Sequence, residues 1–147
     1  MGNINLSGIG PELKIQQGSV PAAVAAGTRN GTGFSRKGFN SCVLEAQTGA
    51  LSGAPTGQTV DVKLQHSDVV GSGYVDYTPG GVAANGAVAQ ITAAITRKRK
   101  SIDLRGAKEF IRTVEVTGFT GGTSPTIGAA NTVILGGADV LPAQADD

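Results

Sequence analysis

The sequence has little of the material that catalysis, metal binding and membrane insertion require. Its 147 residues include one cysteine, one histidine, no tryptophan, two tyrosines and four phenylalanines. Cys42 has no partner for an intramolecular disulfide, and a lone histidine excludes the usual Cys/His zinc spacings. No apolar run approaches the about 18 residues of a membrane span. Residues 20–27 resemble a signal-cleavage site but follow no charged and apolar leader. We therefore expect synthesis in the cytoplasm and no membrane association.

Charge is nearly balanced over the whole chain but is unevenly placed. Twelve Lys and Arg residues face 11 Asp and Glu residues, a net charge of +1, so the chain is not a globally basic nucleic-acid binder. Residues 97–112 nevertheless hold seven cations and two anions. Four of these cations are consecutive, and we call them the basic run: Arg97, Lys98, Arg99 and Lys100.

Glycine, by contrast, is abundant, and the sequence pattern around it predicts strands. There are 23 glycines, where a usual share of ~7% would give about 10. Together with many Val, Ile and Thr residues, this composition is typical of short strands joined by tight turns. About eight strands are predicted, at residues 12–17, 41–48, 59–67, 74–77, 87–95, 101–104, 109–116 and 126–135. We therefore predict an all-β fold, an antiparallel β-sandwich that resembles a jelly roll.

The N-terminal part of the chain differs from the rest. Residues 1–39 combine glycines and cations with few apolar side chains, so little surface is available to offset the cost of ordering the backbone. We predict an extended glycine-rich arm over residues 1–39 and a sandwich domain over residues 40–147. Five side chains of the arm are candidate contacts with a partner: Arg29, Phe34, Arg36, Lys37 and Phe39.

The residues that carry chemistry in other proteins have structural explanations here. His66 continues the inward row of the strand at residues 59–67, and Cys42 lies on an inward row as well, which favours a buried and inert thiol. The stretch GTGFSRKG lacks the spacing and the strand-to-helix context of a phosphate loop. Asp68 and Asp76 flank one turn, where capping is a more common use than calcium binding. We expect no catalytic residues, no metal site and no cofactor, and so no enzyme.

Strand geometry constrains where the basic run can lie. If Ile102 and Leu104 face the core, Lys98 and Lys100 fall on the same inward row. Burial of unpaired ammonium groups is costly. Either the inward-facing strand begins near Ser101, or the lysines lie beyond the rim of the sheet and reach outward. Both options place the basic run on an exposed loop or edge.

Three uses of such an edge stay open. Edge lysines guard against unwanted strand pairing. A cationic edge also docks onto an acidic protein surface. Nucleic-acid binding is the third use, although neither interleaved aromatic residues nor a reading helix accompanies the run.

Four blocks of the sequence, taken in order, resemble a known family. They are VDVKLQHSD, SGYVDYT, SIDLRGAKEFIRTVEV and GTSPTIGAANTVILGGADVLPA, and the similarity spans residues 59–143. In block order and turn placement they resemble the head decoration, or cement, proteins of tailed double-stranded DNA bacteriophages. The resemblance implies a jelly-roll-like sandwich that assembles as a dimer or trimer at a symmetry axis of the capsid.

The same resemblance implies a function. It points to a structural protein on the outer surface of the virion, whose partners are the major capsid protein and further copies of itself, with no direct contact to nucleic acid. The five arm side chains and the basic run are then the candidate capsid contacts. Two alternatives stay open: a carbohydrate-binding jelly-roll module, which the absence of tryptophan disfavours, and a structural protein of the phage neck or tail.

Overall fold

The computed structural model describes residues 13–79 and 86–138, which form ten strands. No helix in these two ranges is long and apolar enough to cross a membrane. Residues 1–12 of the predicted arm, and residues 80–85 and 139–147 of the predicted sandwich domain, lie outside the described part. The strands are β1 (Lys14–Val24), β2 (Gly27–Asn30), β3 (Phe34–Ser35), β4 (Phe39–Ser52), β5 (Gly57–Ser67), β6 (Val75–Asp76), β7 (Ala89–Ile91), β8 (Arg97–Asp103), β9 (Phe110–Thr120) and β10 (Thr126–Ala138).

Two antiparallel sheets pack face to face. Sheet A has the strand order β1-β10-β4-β8, and sheet B has the order β2-β9-β5-β6, with β3 also on β9 and β7 also on β5. β2 and β3 both pair with β9, and β6 and β7 both pair with β5. When each of these two pairs is counted as one interrupted strand, the fold has eight strands. The first of these then lies beside the last in sheet A, and the second lies beside the seventh in sheet B, which is a jelly-roll arrangement. The predicted all-β sandwich is confirmed.

The core lies between the inward rows that strict alternation predicted. Every second residue is buried over residues 42–48 of β4 and 60–64 of β5, and the buried side chains of β10 lie beside those of β4 in the same sheet. Each large apolar side chain in these rows contributes about 1.5–3 kcal/mol of burial free energy. The rows on β4 and β5 are Cys42, Leu44 and Ala46, and Val60, Val62 and Leu64. Burial raises the pKa of the Cys42 thiol to about 12, so the thiolate is scarce at neutral pH.

The predicted N-terminal arm is wrong for residues 14–35, which are integral to both sheets. β1 pairs with β10 along its length, from Lys14 opposite Leu135 to Val24 opposite Ile127. β2 and β3 both pair with β9. The strand predicted at residues 12–17 is the start of β1, but the surface that these strands cover lies near the other end of the chain, so the local composition did not indicate that residues 18–35 belong to the sandwich. The sandwich therefore begins well before residue 40.

A bulge in β1 turns the Ser19 side chain toward the interior of the sandwich. The pairing register of β1 with β10 shifts between Gln17 and Ser19 and again between Ser19 and Ala22. Bulges of this kind redirect side chains at sheet edges, and Pro21 is tolerated because β1 is an edge strand of sheet A. The shift leaves Ser19 opposite Asn131, with its hydroxyl inside the sandwich.

Candidate functional site

The basic run forms the first half of β8, an edge strand of sheet A. Within the described residues β8 pairs with β4 alone, in an unbroken register from Arg97 opposite Gln47 to Asp103 opposite Ser41. The strand begins at Arg97, so the option of an inward-facing strand that starts near Ser101 is wrong. The basic run occupies a regular sheet edge, where Lys98 and Lys100 pair with Ala46 and Leu44, so the lysines lie within the paired strand and not beyond the rim of the sheet.

The arginines of the basic run lie on the outer face of sheet A. The Arg97 and Arg99 side chains are 57% and 60% exposed, and both reach the carboxylate of Glu45 on β4. The closest nitrogen–oxygen distances are 3.8 Å from Arg97 and 3.2 Å from Arg99. Exposed pairs at such distances contribute about 0–1 kcal/mol. Glu45 therefore offsets part of the local charge without immobilising either guanidinium group.

The lysines of the basic run lie on the inward row but outside the core. Lys98 is exposed and Lys100 is half-buried, whereas Ile102, the next residue in the same row, is buried. The row thus leaves the core at Lys100, and the ammonium groups avoid the cost of full desolvation.

Elsewhere in residues 97–112, each cation has its own partner in the fold. The shortest of these contacts are 2.6 to 2.8 Å between a nitrogen and an oxygen atom. Hydrogen bonds from Arg105 lower the pKa of the Asp103 carboxyl group to about 2. Carboxylates therefore offset the charges of Arg105 and Lys108, whereas the neutral Gln65 leaves the charge of Arg112 in place. The pairs are Arg105–Asp103, Lys108–Asp68 and Arg112–Gln65.

Ile95, two residues before β8, combines high exposure with an unusual backbone. Its side chain is 83% exposed and its φ is 50°. A β-branched residue in the left-handed region is a genuine outlier, with a cost of about 1–3 kcal/mol. A hydrogen bond of 3.1 Å from its N–H to the carbonyl of Gly49 ties it to β4. A large apolar side chain is thus held in water directly beside the basic run.

A groove of about 320 Å³ also lies on sheet A, between β1 and β4. Pro21 forms part of one wall, Gln47 part of the other, and Gly49 and Gly128 approach each other on its floor. The lining residues carry no ionisable side chain. The groove borders the basic run because Gln47 pairs with Arg97.

Arg29, a predicted partner contact, is instead part of a buried polar network. Glu115 on β9 is 1% exposed, and its Oε1 accepts hydrogen bonds from Arg29 Nε at 2.9 Å and Nη2 at 2.7 Å. Its Oε2 accepts from Ser19 Oγ at 3.0 Å and from Asn131 Nδ2 at 3.1 Å. Arg29 also donates to the backbone carbonyl of Ala129 at 3.0 Å. These bonds join sheet A to sheet B and leave Arg29 committed to the fold.

The other arm candidates are also largely occupied. Phe39 is buried in the core, and Phe34 packs against it. The Arg36 guanidinium donates to the backbone carbonyls of Ala107, Lys108 and Phe39. Lys37 is exposed. The structure therefore does not bring the arm candidates together with the basic run, because β3 and the start of β4 lie at the opposite end of β8 from Arg97.

Sequence reasoning missed the two polar residues at the centre of the network. Glu115 lies on the inward row of β9 with Ile111 and Thr113, and Asn131 lies on the inward row of β10 with Val133. A charged or amide residue on an inward row requires a buried partner. The alternation of each strand was therefore enough to predict that Glu115 and Asn131 are buried and hydrogen-bonded. Parity does not, however, reveal which distant residue supplies the partner.

His66 makes contacts that are typical of a structural residue. Its Nδ1 accepts a hydrogen bond of 3.1 Å from the backbone N–H of Lys108, and its ring centroid lies 5.1 Å from that of Tyr77. Burial lowers the pKa of the imidazole, and the cationic Lys108 and Arg36 lower it further. In residues 13–79 and 86–138 no group of three or more His, Cys, Asp or Glu side chains is placed to hold a metal ion.

Comparisons with known proteins find distant likenesses. No profile of a known protein family matches the chain, and no curated protein matches it. The SPBc2 prophage-derived protein YomS is 15% identical with a TM-score of 0.44, over 84% of this chain and 91% of YomS. A chain of the infectious bursal disease virus Gx strain is 12% identical with a TM-score of 0.47, over 89% of this chain and 34% of that one.

A third likeness is to the CBM36-1 domain of a multidomain xylanase from the hindgut metagenome of Trinervitermes trinervoides. It is 14% identical with a TM-score of 0.32, over 87% of this chain and 99% of that domain. At these identities and TM-scores, none of the three likenesses carries an argument about function.

We predict that Arg29→Ala destabilises the protein by about 3 kcal/mol, because it leaves the buried Glu115 carboxylate without its cation. Arg97→Ala, which breaks an exposed contact, should change the free energy of unfolding by at most about 0.5 kcal/mol. Urea unfolding of both variants measures the difference. Equal free energies of unfolding for the two variants would contradict the structural role of Arg29.

We also predict that His66 titrates below 6.5 in the folded protein. Because its folded pKa is lowered, the stability that it contributes is present above pH 6.5 and is lost as the pH falls through the lowered value. The lone histidine gives one Hε1 signal, so a proton NMR titration reads it directly. In urea the midpoint should return to about 6.5. A folded-state midpoint at or above that of the unfolded chain would show this account to be wrong.

Proposed function

We propose that this chain is a structural protein of a bacteriophage virion, which binds the outer surface of the assembled major capsid shell and stabilises contacts between neighbouring capsomers. The observation that carries the proposal is the basic run on the edge strand β8, where Arg97 and Arg99 are exposed and share Glu45 as a counter-charge. A concentrated positive edge suits a partner surface with acidic groups. Docking there should be fast at low salt and sensitive to ionic strength.

The exposed Ile95 also favours docking through the edge of the sheet at β8. Binding energy in protein interfaces comes mainly from a few apolar or aromatic anchors that lose their water, while flanking charges steer and align. Ile95 precedes the basic run and is held outward at the cost of an unfavourable backbone angle. An apolar anchor beside a row of cations provides both parts of such an interface.

The resemblance of the four sequence blocks to phage decoration proteins supports the class of partner. Within the described residues these blocks include β5, β6, β8 with β9, and β10, so they supply scaffold strands of the sandwich. A cement protein acts by mass action, because it binds the assembled shell in preference to the loose one. At a free concentration of 100 times Kd each bound copy shifts the equilibrium by about 2.7 kcal/mol.

We further propose that the chain acts as a dimer or trimer at a symmetry axis. The outer face of sheet A offers an apolar row for contacts between copies, formed by Ile15, Ile134 and Val43 on three adjacent strands. Ile15 is exposed in this row. The proposal includes no catalytic activity and no cofactor.

Sugar binding, the alternative from a different class, has less support. Sugar-binding sandwiches use open aromatic faces, and Tyr74, directly before β6, is the candidate. The guanidinium carbon of Arg112 lies 4.3 Å from the centroid of the Tyr74 ring, and the Tyr74 hydroxyl donates to the carbonyl of Val70 at 2.8 Å. One face of this ring is therefore already covered. A neck or tail structural protein is the second alternative, and it would use the same docking chemistry at another site on the particle.

We predict that Arg97→Ser/Arg99→Ser weakens binding to heads of the encoding phage, purified without this protein, by about tenfold or more at about 0.05 M salt. The matched control is Arg105→Ser/Lys108→Ser, which removes the same charge from two cations that each have a carboxylate of their own, whereas Arg97 and Arg99 share Glu45, and it should bind within about twofold of the wild type. Co-sedimentation across a salt series measures both affinities. Equal losses in the two variants, or none in either, would contradict docking through the basic run.

A further inference from the structure

The backbone of β8 has one side that the described fold does not use. The N–H of Thr48 donates to the carbonyl of Thr96, and the N–H of Leu104 donates to the carbonyl of Asn40, both at 2.8 Å. Hydrogen-bonded pairs alternate along an antiparallel ladder. The even-numbered residues of β8 therefore bond to β4, and the odd-numbered residues direct their N–H and C=O groups away from the sheet.

The residues that carry those outward groups are exposed, and one of the groups already has a partner. The Tyr77 hydroxyl donates to the backbone carbonyl of Asp103 at 2.7 Å, as the alternation requires. No residue in the described part of the chain pairs with the outward backbone groups of Arg97, Arg99 and Ser101. These three residues present a straight row of donors and acceptors, because the register with β4 contains no bulge.

We propose that β8 accepts an extended acidic segment of the capsid partner as an additional strand of sheet A. This inference rests on the proposed function and specifies how the docking occurs. An unpaired regular edge is a template for strand addition, in which backbone hydrogen bonds give affinity and side chains give specificity. Arg97 and Arg99 lie on one face of that edge, so they select a strand with carboxylates on the same face.

The charge of β8 also argues against a second copy of this chain as the occupant. Each β8 strand carries four cations and one anion, so self-pairing would join two strands of net positive charge, and antiparallel pairing over their full length would place Lys100 directly opposite its own copy, which is destabilising. The net positive charge thus disfavours self-pairing and favours an acidic strand. Guarding of the edge and docking are compatible functions of the same four side chains.

A backbone-only substitution tests the strand addition. Ser101→Pro removes one outward N–H and leaves the ladder to β4 intact, and proline is tolerated on edge strands whose N–H faces solvent. Ser101→Ala is the matched control, because it removes the hydroxyl and keeps the N–H. We expect Ser101→Ala to bind the purified heads like the wild type and Ser101→Pro to bind about tenfold more weakly. Circular dichroism and the thermal midpoint of each variant show whether it is folded.

Hydrogen exchange of the wild type provides a second measurement that does not depend on a variant. On binding to the heads, the amides of Arg97, Arg99 and Ser101 should exchange more slowly. Equal affinities of the two Ser101 variants, or unchanged exchange of these three amides, would overturn strand addition. If Arg97→Ser/Arg99→Ser still weakens binding in that case, docking by charge stands and only its geometry is wrong. If that variant also binds normally, the proposed function fails as well.

Discussion

The carboxylate of Glu115, buried between the two sheets, is the constraint on which the rest of the structure depends. It requires a cation and further donors, and it obtains them from Arg29 on β2, Ser19 on β1 and Asn131 on β10. One buried charge thereby fixes the corner where the chain passes from sheet A to sheet B, and with it the pairing of the first strand with the last. Close packing at this corner requires glycine, since a Cβ on Gly18 would overlap the Asn131 side chain. A buried pair of this kind is costly to break.

The alternation of apolar and polar residues was sufficient to predict the central strands, because it shows within each strand which face is buried. The inward residues Val60, Val62 and Leu64 and the class of fold follow from it. Beyond the strand predicted at residues 12–17, residues 18–35 show no such alternation, because β1 is bulged and mostly exposed on its outer side and its partner strand lies near the other end of the chain. For the same reason Arg29 resembled a free cation in the sequence. Its partner Glu115 is 86 residues away, and no local pattern connects the two.

For the basic run, by contrast, strand parity and the cost of burying a charge were enough to predict an exposed position. Lys98 and Lys100 share an inward row with Ile102, and the structure resolves the conflict by letting that row leave the core at the edge of sheet A. What parity did not reveal is that the cations lie on a regular strand with an unused backbone side. That property depends on the order of strands in the sheet, which in turn depends on the pairing of β4 with both β10 and β8. The edge strand β8 thus combines exposed cations with outward backbone groups, and it lies beside the exposed Ile95.

A cryo-electron microscopy reconstruction of heads carrying this protein tests the account most directly, because it shows which edge of the sandwich faces the shell. The account predicts that β8 lies against a capsid subunit on the outer surface, with an extended segment of that subunit continuous with sheet A beside Arg97, Arg99 and Ser101. A reconstruction in which β8 faces solvent while another surface of the sandwich contacts the shell would contradict it.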